Sequence, residues 1–286
     1  MLIIVAIGGH ALQDPHGSAG AAPGHAAFGP LVATLREAGT RHHLVLTHGS
    51  GPQVGASALR EAEAGAAAPL DDLCAELQGA VGYHLGRALA GRIGGRPIAT
   101  VITQVVVDPA DPSGVTPSKP IGPVLDAAVA QELAARHDWV IGQDRGGWRR
   151  FVASPHPIEI VERDAIRRLI EVGITPICVG GGGIPVIRRA DGALSGIDAV
   201  IDKDRTAVLL AEAVDAEALV FLTDVEAVRS DWPPPAGTWL GETTPSDLGA
   251  LRFAEGSMGP KVEAACRFVD GGEVTPRSGA RMRSLR

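Results

Sequence analysis

Asparagine is absent from this chain and lysine is scarce: of 26 basic side chains, only Lys119, Lys203 and Lys261 are lysines. Cysteine is sparse too. Cys74, Cys178 and Cys266 are odd in number and widely spaced, which argues against a disulfide framework or a zinc knuckle. No apolar run approaches the roughly 20 residues of a membrane span. The first seven residues carry no basic n-region and are too short for a signal peptide. A formal net charge of −7 disfavours a broad surface for nucleic acid or anionic membrane. These absences describe a soluble protein of a reducing cytoplasm.

What is present suffices for a large core. At 286 residues and 45% hydrophobic, the chain is expected to form one big α/β domain or two closely apposed lobes. Almost everywhere a positive charge occurs, it is arginine. That choice is harmless on a solvated face, but not where a compact ammonium must fit against a phosphate. The three lysines are therefore candidate anion-binding groups, the alternative being three residual surface lysines.

Apolar, branched runs at 2–7, 43–47, 98–107, 174–179, 199–201 and 218–223 read as strands. Helical spacing of apolar residues falls at 71–89, 158–172, 204–214 and 261–269. Strands alternating with helices predict a mostly parallel sheet covered on both faces, with ligands outside the carboxyl ends of its strands. Residues 13–29, rich in Gly, Ala, His and Pro, read as a mobile surface loop. The stretch 108–123 (DPADPSGVTPSKPIGP) is too proline-rich for a helix or a central strand. With the hairpin expected at 147–157 (GWRRFVASPHP), it makes 108–157 an excursion from the main sheet. The arginines of 142–150 read as a solvated hairpin face, the alternative being contact with an anionic acceptor. Residues 231–237 (DWPPPAG) read as a rigid surface connection, and His42, His43 and His48 as structural.

Glycine concentrates where strands should end. Gly8 and Gly9 close the run LIIVAI and are followed by His10. LTHGSGPQVG (46–55) passes through Gly49, Ser50 and Gly51 into a helix, with Pro52 at the permitted first turn. CVGGGGIPV (178–186) ends a third strand in four glycines, Gly181 and Gly182 among them. A single such turn is weak evidence. Three on one edge of a parallel sheet favour a phosphate cradle over unrelated turns.

The lysines fall in matching places. Lys119 lies between prolines on the excursion, Lys203 lies just past a buried run between Asp202 and Asp204, and Lys261 follows GSMGP at a helix start. A cation at the positive end of a helix dipole is unfavourable unless an anion is bound there. Phosphoryl transfer uses this equipment, dispersed positive charge and positioning. Neither a GxxxxGK[ST] loop nor the protein-kinase motif set is present.

The segments AIGGHAL, THGSGPQVG, TQVVVDPADP, SKPIGP, GWRRFVASPHP, GGGGIPV, AVIDKDRTAVLLAE, LTDVEAV and FAEGSMGPKVEAACRFV resemble, in sequence and order, the carbamate kinases of the amino-acid kinase fold. The resemblance runs from residue 1 to about 269. It implies a three-layer α/β/α sandwich with a mostly parallel central sheet, a protruding subdomain at about 108–157 and a nucleotide-side lobe at about 174–269. It further implies a homodimer, a small-molecule substrate, and reversible transfer of the ATP γ-phosphoryl to carbamate, giving carbamoyl phosphate and ADP.

By the same resemblance, Lys203 and Lys261 would neutralise the transferring group, Asp204 would orient the lysines or the metal, and Lys119 would reach the acyl phosphate. Gly8, Gly9, Gly49, Gly51, Gly181 and Gly182 would line the phosphate cradle with backbone donors, with His10 and Ser50 on its acceptor side. Thr223, Asp224, Arg229, Met258 and Gly259 would line the nucleotide. Magnesium would arrive with ATP or ADP and need no dedicated protein ligands.

The chain departs from the family at four places. His10 and Ser50 stand where the family has asparagine, which opens a different small carboxylate or carbamoyl-type acceptor. Arg229 replaces a tyrosine beside the adenine. Residues 270–286 (DGGEVTPRSGARMRSLR) are polar and arginine-rich, and read as a disordered or atypical tail. A non-catalytic nucleotide-binding homologue is the remaining alternative.

Overall fold

The computed structural model describes residues 1–9, 12, 29–66, 68–144, 146–223, 228–229, 240–253, 258–271 and 282–283. In chain order the elements are β1 (Leu2–Ile7), α1 (Gly29–Arg41), β2 (His43–His48), α2 (Gly51–Glu63), α3 (Leu70–Leu89), β3 (Ile98–Thr100) and β4 (Gln104–Val107). Next come β5 (Lys119–Leu125), α4 (Ala127–His137), β6 (Val140–Asp144), β7 (Gly147–Val152), β8 (Pro157–Ile160), α5 (Arg163–Glu171) and β9 (Thr175–Ile177). The chain continues through β10 (Ile184–Arg188), β11 (Leu194–Gly196), α6 (Lys203–Ala213), β12 (Ala218–Leu222), β13 (Glu242–Thr243), α7 (Pro245–Gly249), α8 (Met258–Asp270) and β14 (Met282–Arg283).

Five strands form a wholly parallel sheet in the order β12-β1-β2-β9-β3. Alternation along its buried strands sends successive side chains to opposite faces. Ile3, Val5 and Ile7 of β1 pack with Leu31 and Leu35 of α1 and Val81 and Leu85 of α3. Ile4 of β1 and Val45 of β2 pack the other way, with Ile166 of α5, Val208 of α6 and Phe268 of α8. Helices thus cover both faces, and the fold is a three-layer α/β/α sandwich. A second sheet, β11-β10-β4-β8, is mixed, with only β10 and β4 parallel.

Residues 119–152 build a small antiparallel sheet of their own, β5-β7-β6, with α4 between β5 and β6. Pro120 and Pro123 sit on its edge strand β5, where a missing N–H is tolerated. The small sheet meets the body through α2: a Cβ added at Gly55 would lie 2.0 Å from the backbone N of Gly122. Val54 and Ala58 of α2 share a core with Ile121 and Val152.

Two apolar runs and one helix differ from the sequence expectation. The run 98–107 is two strands in different sheets, because Gln78 of α3 takes both backbone groups of Thr103. Its Oε1 accepts from Thr103 N at 2.8 Å and its Nε2 donates to Thr103 O at 3.1 Å. Residues 199–201 form no strand; they make one isolated bridge, with Val200 N donating to Ala153 O. The helix expected at 158–172 starts at Arg163, since Ile160 pairs with Val105 in the ladder and Glu162 is spent on Gln104.

The expectations for 13–28 and 231–237 lie outside the described residues, as does most of the 270–286 tail; within it Met282–Arg283 pairs with Glu242–Thr243. Among the described residues, no helix is long and apolar enough to cross a membrane. The arginines of β7 are not a solvated face. Arg149 is buried and pairs with Asp144 at 2.7 Å, and Arg150 lies 4.4 Å over the Trp139 ring.

Candidate active site

The glycine turns at the carboxyl ends of β1, β2 and β9 meet. Gly8 N donates to Leu222 O (2.8 Å) and Gly49 N to Ile7 O (2.9 Å), so the turns continue the sheet's pairing. A Cβ on Gly49 would lie 2.9 Å from Gly9 N and 2.9 Å from Cδ of Lys203, which shows how closely the lysine stem lies against this turn. Gly181 (φ +71°) and Gly182 (φ +103°) adopt backbone angles that suit glycine. A Cβ at Gly181 would meet Ser50 Oγ at 2.3 Å, and one at Gly182 would meet Ile201 O at 2.5 Å. Ser50 is buried at the N-cap of α2, directly before Gly51 and Pro52.

Helix α6 brings the charged groups to this edge. Asp202 caps it, accepting on Oδ1 from the backbone N of Asp204 (2.9 Å) and Arg205 (3.3 Å). Thr206 Oγ1 donates to Gly182 O (2.9 Å) and Asp202 O (3.1 Å), tying the first turn of α6 to the glycine loop. Asp204 is 3% exposed; its Oδ1 takes the Lys203 ammonium and its Oδ2 takes Lys261 Nζ at 3.2 Å. Lys261 comes from the first turn of α8, behind Met258 and Gly259. Lys119, the first residue of β5, places its Nζ 2.8 Å from Asp202 Oδ2. Every lysine of the chain therefore converges on two aspartates at the start of one helix.

Burial pushes the Lys203 ammonium below its ordinary pKa, opposed by Asp204 and reinforced by the neighbouring Lys261 charge. Burial works against ionising Asp202 as well, but the Lys119 ammonium, the Lys203 charge and the Arg205 backbone N–H together outweigh it and hold the carboxyl well below the usual carboxylate range.

The structure brings Gly8, Gly9, Gly49, Ser50, Gly51, Gly181, Gly182, Lys119, Lys203, Asp204 and Lys261 into one continuous neighbourhood. Thr223 joins it, its Cα 3.8 Å from where a Cβ of Gly8 would be. Arg229 is half-buried beside Val228, whose carbonyl accepts from Leu240 N at 2.7 Å. His10 and Asp224 lie outside the described residues. Among the described residues, no group of three His, Cys, Asp or Glu is arranged to hold a metal. Asp202 and Asp204 are both occupied by lysines, so the described residues offer no ready cage for a resident ion.

Three contributors were not singled out from the sequence. Asp202 carries a helix-cap signal, an Asp directly before a helical pattern, that would have found it. Thr206 and Gln53 carry none. Gln53 is fully buried in the first turn of α2, and neither atom of its amide has a hydrogen-bond partner.

A converging set of glycine turns and ammonium groups on a parallel sheet edge is equipment for binding phosphoryl groups. The model of the Amino acid kinase family matches residues 1–276. A carbamate kinase of Rhizobium meliloti is 42% identical over 278 residues, covering 94% of this chain and 85% of that protein. One from Escherichia coli K12 is 40% identical, covering 93% and 89%. The solved carbamate kinase of Giardia lamblia bound to citric acid superposes with a TM-score of 0.84 at 35% identity, covering 94% and 89%. The chain belongs to the amino acid kinase family, and within it to the carbamate kinases.

His48, buried beside the cradle, supplies a pH test. Burial, opposed by a weak bond to Gly49 O, lowers its pKa from 6.5 to about 4, so the folded protein holds it neutral. As pH falls from 6.5 toward 4, the unfolded chain takes up a proton that the folded chain refuses, and stability is lost. The loss at this one group reaches about 3 kcal/mol by pH 4. Urea unfolding across this window should show a steeper fall for the wild type than for His48→Gln; equal slopes would contradict the assignment.

Proposed function

We propose that this protein transfers the γ-phosphoryl group of MgATP reversibly to carbamate, giving carbamoyl phosphate and ADP. The observation that carries this reading is Asp204, buried and shared between Lys203 and Lys261, beside the Lys119–Asp202 pair. In the ATP-forming direction, a β-phosphate oxygen of ADP attacks phosphorus and the bond to the carbamate oxygen breaks. Charge on the transferring group is met by Lys203 and Lys261, which Asp204 keeps in place. Lys119 meets the acyl phosphate from the small sheet, which acts as a flap over the site. Backbone N–H groups of Gly8, Gly9, Gly49, Gly51, Gly181 and Gly182 receive phosphate oxygens. Thr223, Asp224, Arg229, Met258 and Gly259 line the nucleotide. Magnesium enters as part of the nucleotide substrate.

The same reading takes 1–269 as the kinase domain, with 174–269 on its nucleotide side, working in a reducing cytoplasm. Cys74 and Cys178 fit that setting: both are free and buried, and burial pushes the Cys74 thiol up to about 12. It also takes the protein as a homodimer. Edge strand β3 and the exposed Tyr83 and Ile102 leave an apolar margin beside α3 for a second copy. Light scattering should then give twice the 29.4 kDa of one chain; a monomer at micromolar concentration would refute it.

The reaction is tested by ATP formation from ADP, magnesium and carbamoyl phosphate. The wild type should form ATP, and Lys261→Met should lower kcat by about 100-fold or more, as loss of one donor to a transition-state charge does. Absence of ATP from folded wild type contradicts the reading. ATP from acetyl phosphate alone would move the acceptor to another small carboxylate, which Ser50 would permit.

A further inference from the structure

The segment from the end of β11 into the first turn of α6 carries aspartates at 198, 202 and 204, and each engages a different part of the molecule. Asp198 Oδ1 accepts from Leu70 N at the start of α3 (3.1 Å), while its Oδ2 lies 3.5 Å from Arg150 of β7. Asp204 holds Lys203 and Lys261. Asp202 has its two oxygens divided between tasks: Oδ1 caps α6, and Oδ2 takes Lys119 of β5 at 2.8 Å. Between them, Val200 N donates to Ala153 O. The segment is thus a strap that binds the small sheet to the helix start where the other two lysines sit.

We infer that Asp202 is a positioning residue: it seats Lys119 of the small sheet over the phosphoryl site, through an ion pair that shares its carboxylate with the α6 cap. The inference rests on the reading of the site as a kinase centre and adds to it the group that places the flap lysine.

The geometry explains why a carboxylate is needed here. Lys119 precedes Pro120 and pairs with Val152 at the end of the small sheet, so its backbone is held extended. Its flexible four-carbon stem is not fixed by that. Asp202 fixes it, and both side chains are only about one-fifth exposed, at 20% and 18%. The partner oxygen belongs to the residue that also anchors the backbone of Asp204. Lys119 is thereby registered to the same helix turn that registers Lys203 and, through Asp204, Lys261. The carboxyl of Asp202, held well below the usual carboxylate range, stays ionised for this role.

Asp202→Asn separates the two tasks, because its amide oxygen keeps the cap while the charge that holds Lys119 is lost. Two measurements read the result. In the carbamoyl phosphate assay, kcat/KM should fall about tenfold or more, the scale of one charge-assisted hydrogen bond, while KM for ADP stays within about twofold. In a Lys119→Met background the same substitution should change kcat/KM by no more than about twofold, because its partner is gone. An equal loss in both backgrounds overturns the inference.

The second measurement does not depend on turnover. With only three lysines in the chain, acetylation by acetic anhydride can be followed at each by mass spectrometry. In Asp202→Asn the labelling rate of Lys119 should rise several-fold, with a smaller rise at Lys203, whose ammonium the Asp202 charge also supports, and Lys261 unchanged. Unchanged labelling of Lys119 overturns the inference even if the enzyme is active. Enhanced labelling in Asp202→Asn, with a folded wild type that makes no ATP, would leave the seating of Lys119 standing and refute the kinase reading instead.

Discussion

Three ammonium groups drawn into one neighbourhood repel one another, and two aspartates at the start of α6 make the gathering possible. Like charges 4 Å apart cost about 4 kcal/mol each at an effective dielectric of 20. Asp204, with one lysine on each oxygen, and Asp202, with the third, offset that repulsion and leave one positive charge in surplus. On the proposed reading, a phosphoryl group supplies the missing negative charge. The arrangement balances most of its own repulsion and still favours an anion.

The rest of the structure keeps that helix start in place. The glycine loop takes backbone angles that suit glycine at 181–183, and Thr206 is bonded to its Gly182 carbonyl. The stem of Lys203 lies against Gly49, where a larger residue would collide. On the far side, α2 lets the small sheet approach through Gly55 and Gly122, so β5 brings Lys119 within reach. The glycines matter here for close approach as much as for turning.

Much of this was legible in the sequence, for physical reasons. Runs such as 2–7 and 43–47 are apolar because helices cover both faces of the sheet, so the runs mark its strands directly. The scarcity of lysine made the three that remain informative. Elements failed where a side chain overrode an apolar pattern. Gln78 comes from a distant helix to occupy Thr103 and split one run into two strands, and no local rule reports that. Residues 199–201 look like a strand because they are buried, yet they are a strap leading to a helix cap. Asp202 carries a visible cap signal before a helix, but its bond to Lys119 spans 83 residues and leaves no local trace. Thr206 and the unpartnered amide of Gln53 depend on tertiary packing and leave no local signal. The family resemblance, carried by the GWRR and SMGPKVEAA segments among others, is borne out by the relatives.

The central claim is that these lysines form one phosphoryl-binding group. Its most direct test is nitrogen NMR of protein labelled at lysine, in which three side-chain ammonium signals are expected from Lys119, Lys203 and Lys261. Addition of MgAMP-PNP should shift the Lys203 and Lys261 signals together, saturating at one nucleotide per chain. If nucleotide binds and neither signal moves, the lysine cluster is not the phosphoryl site and the account fails.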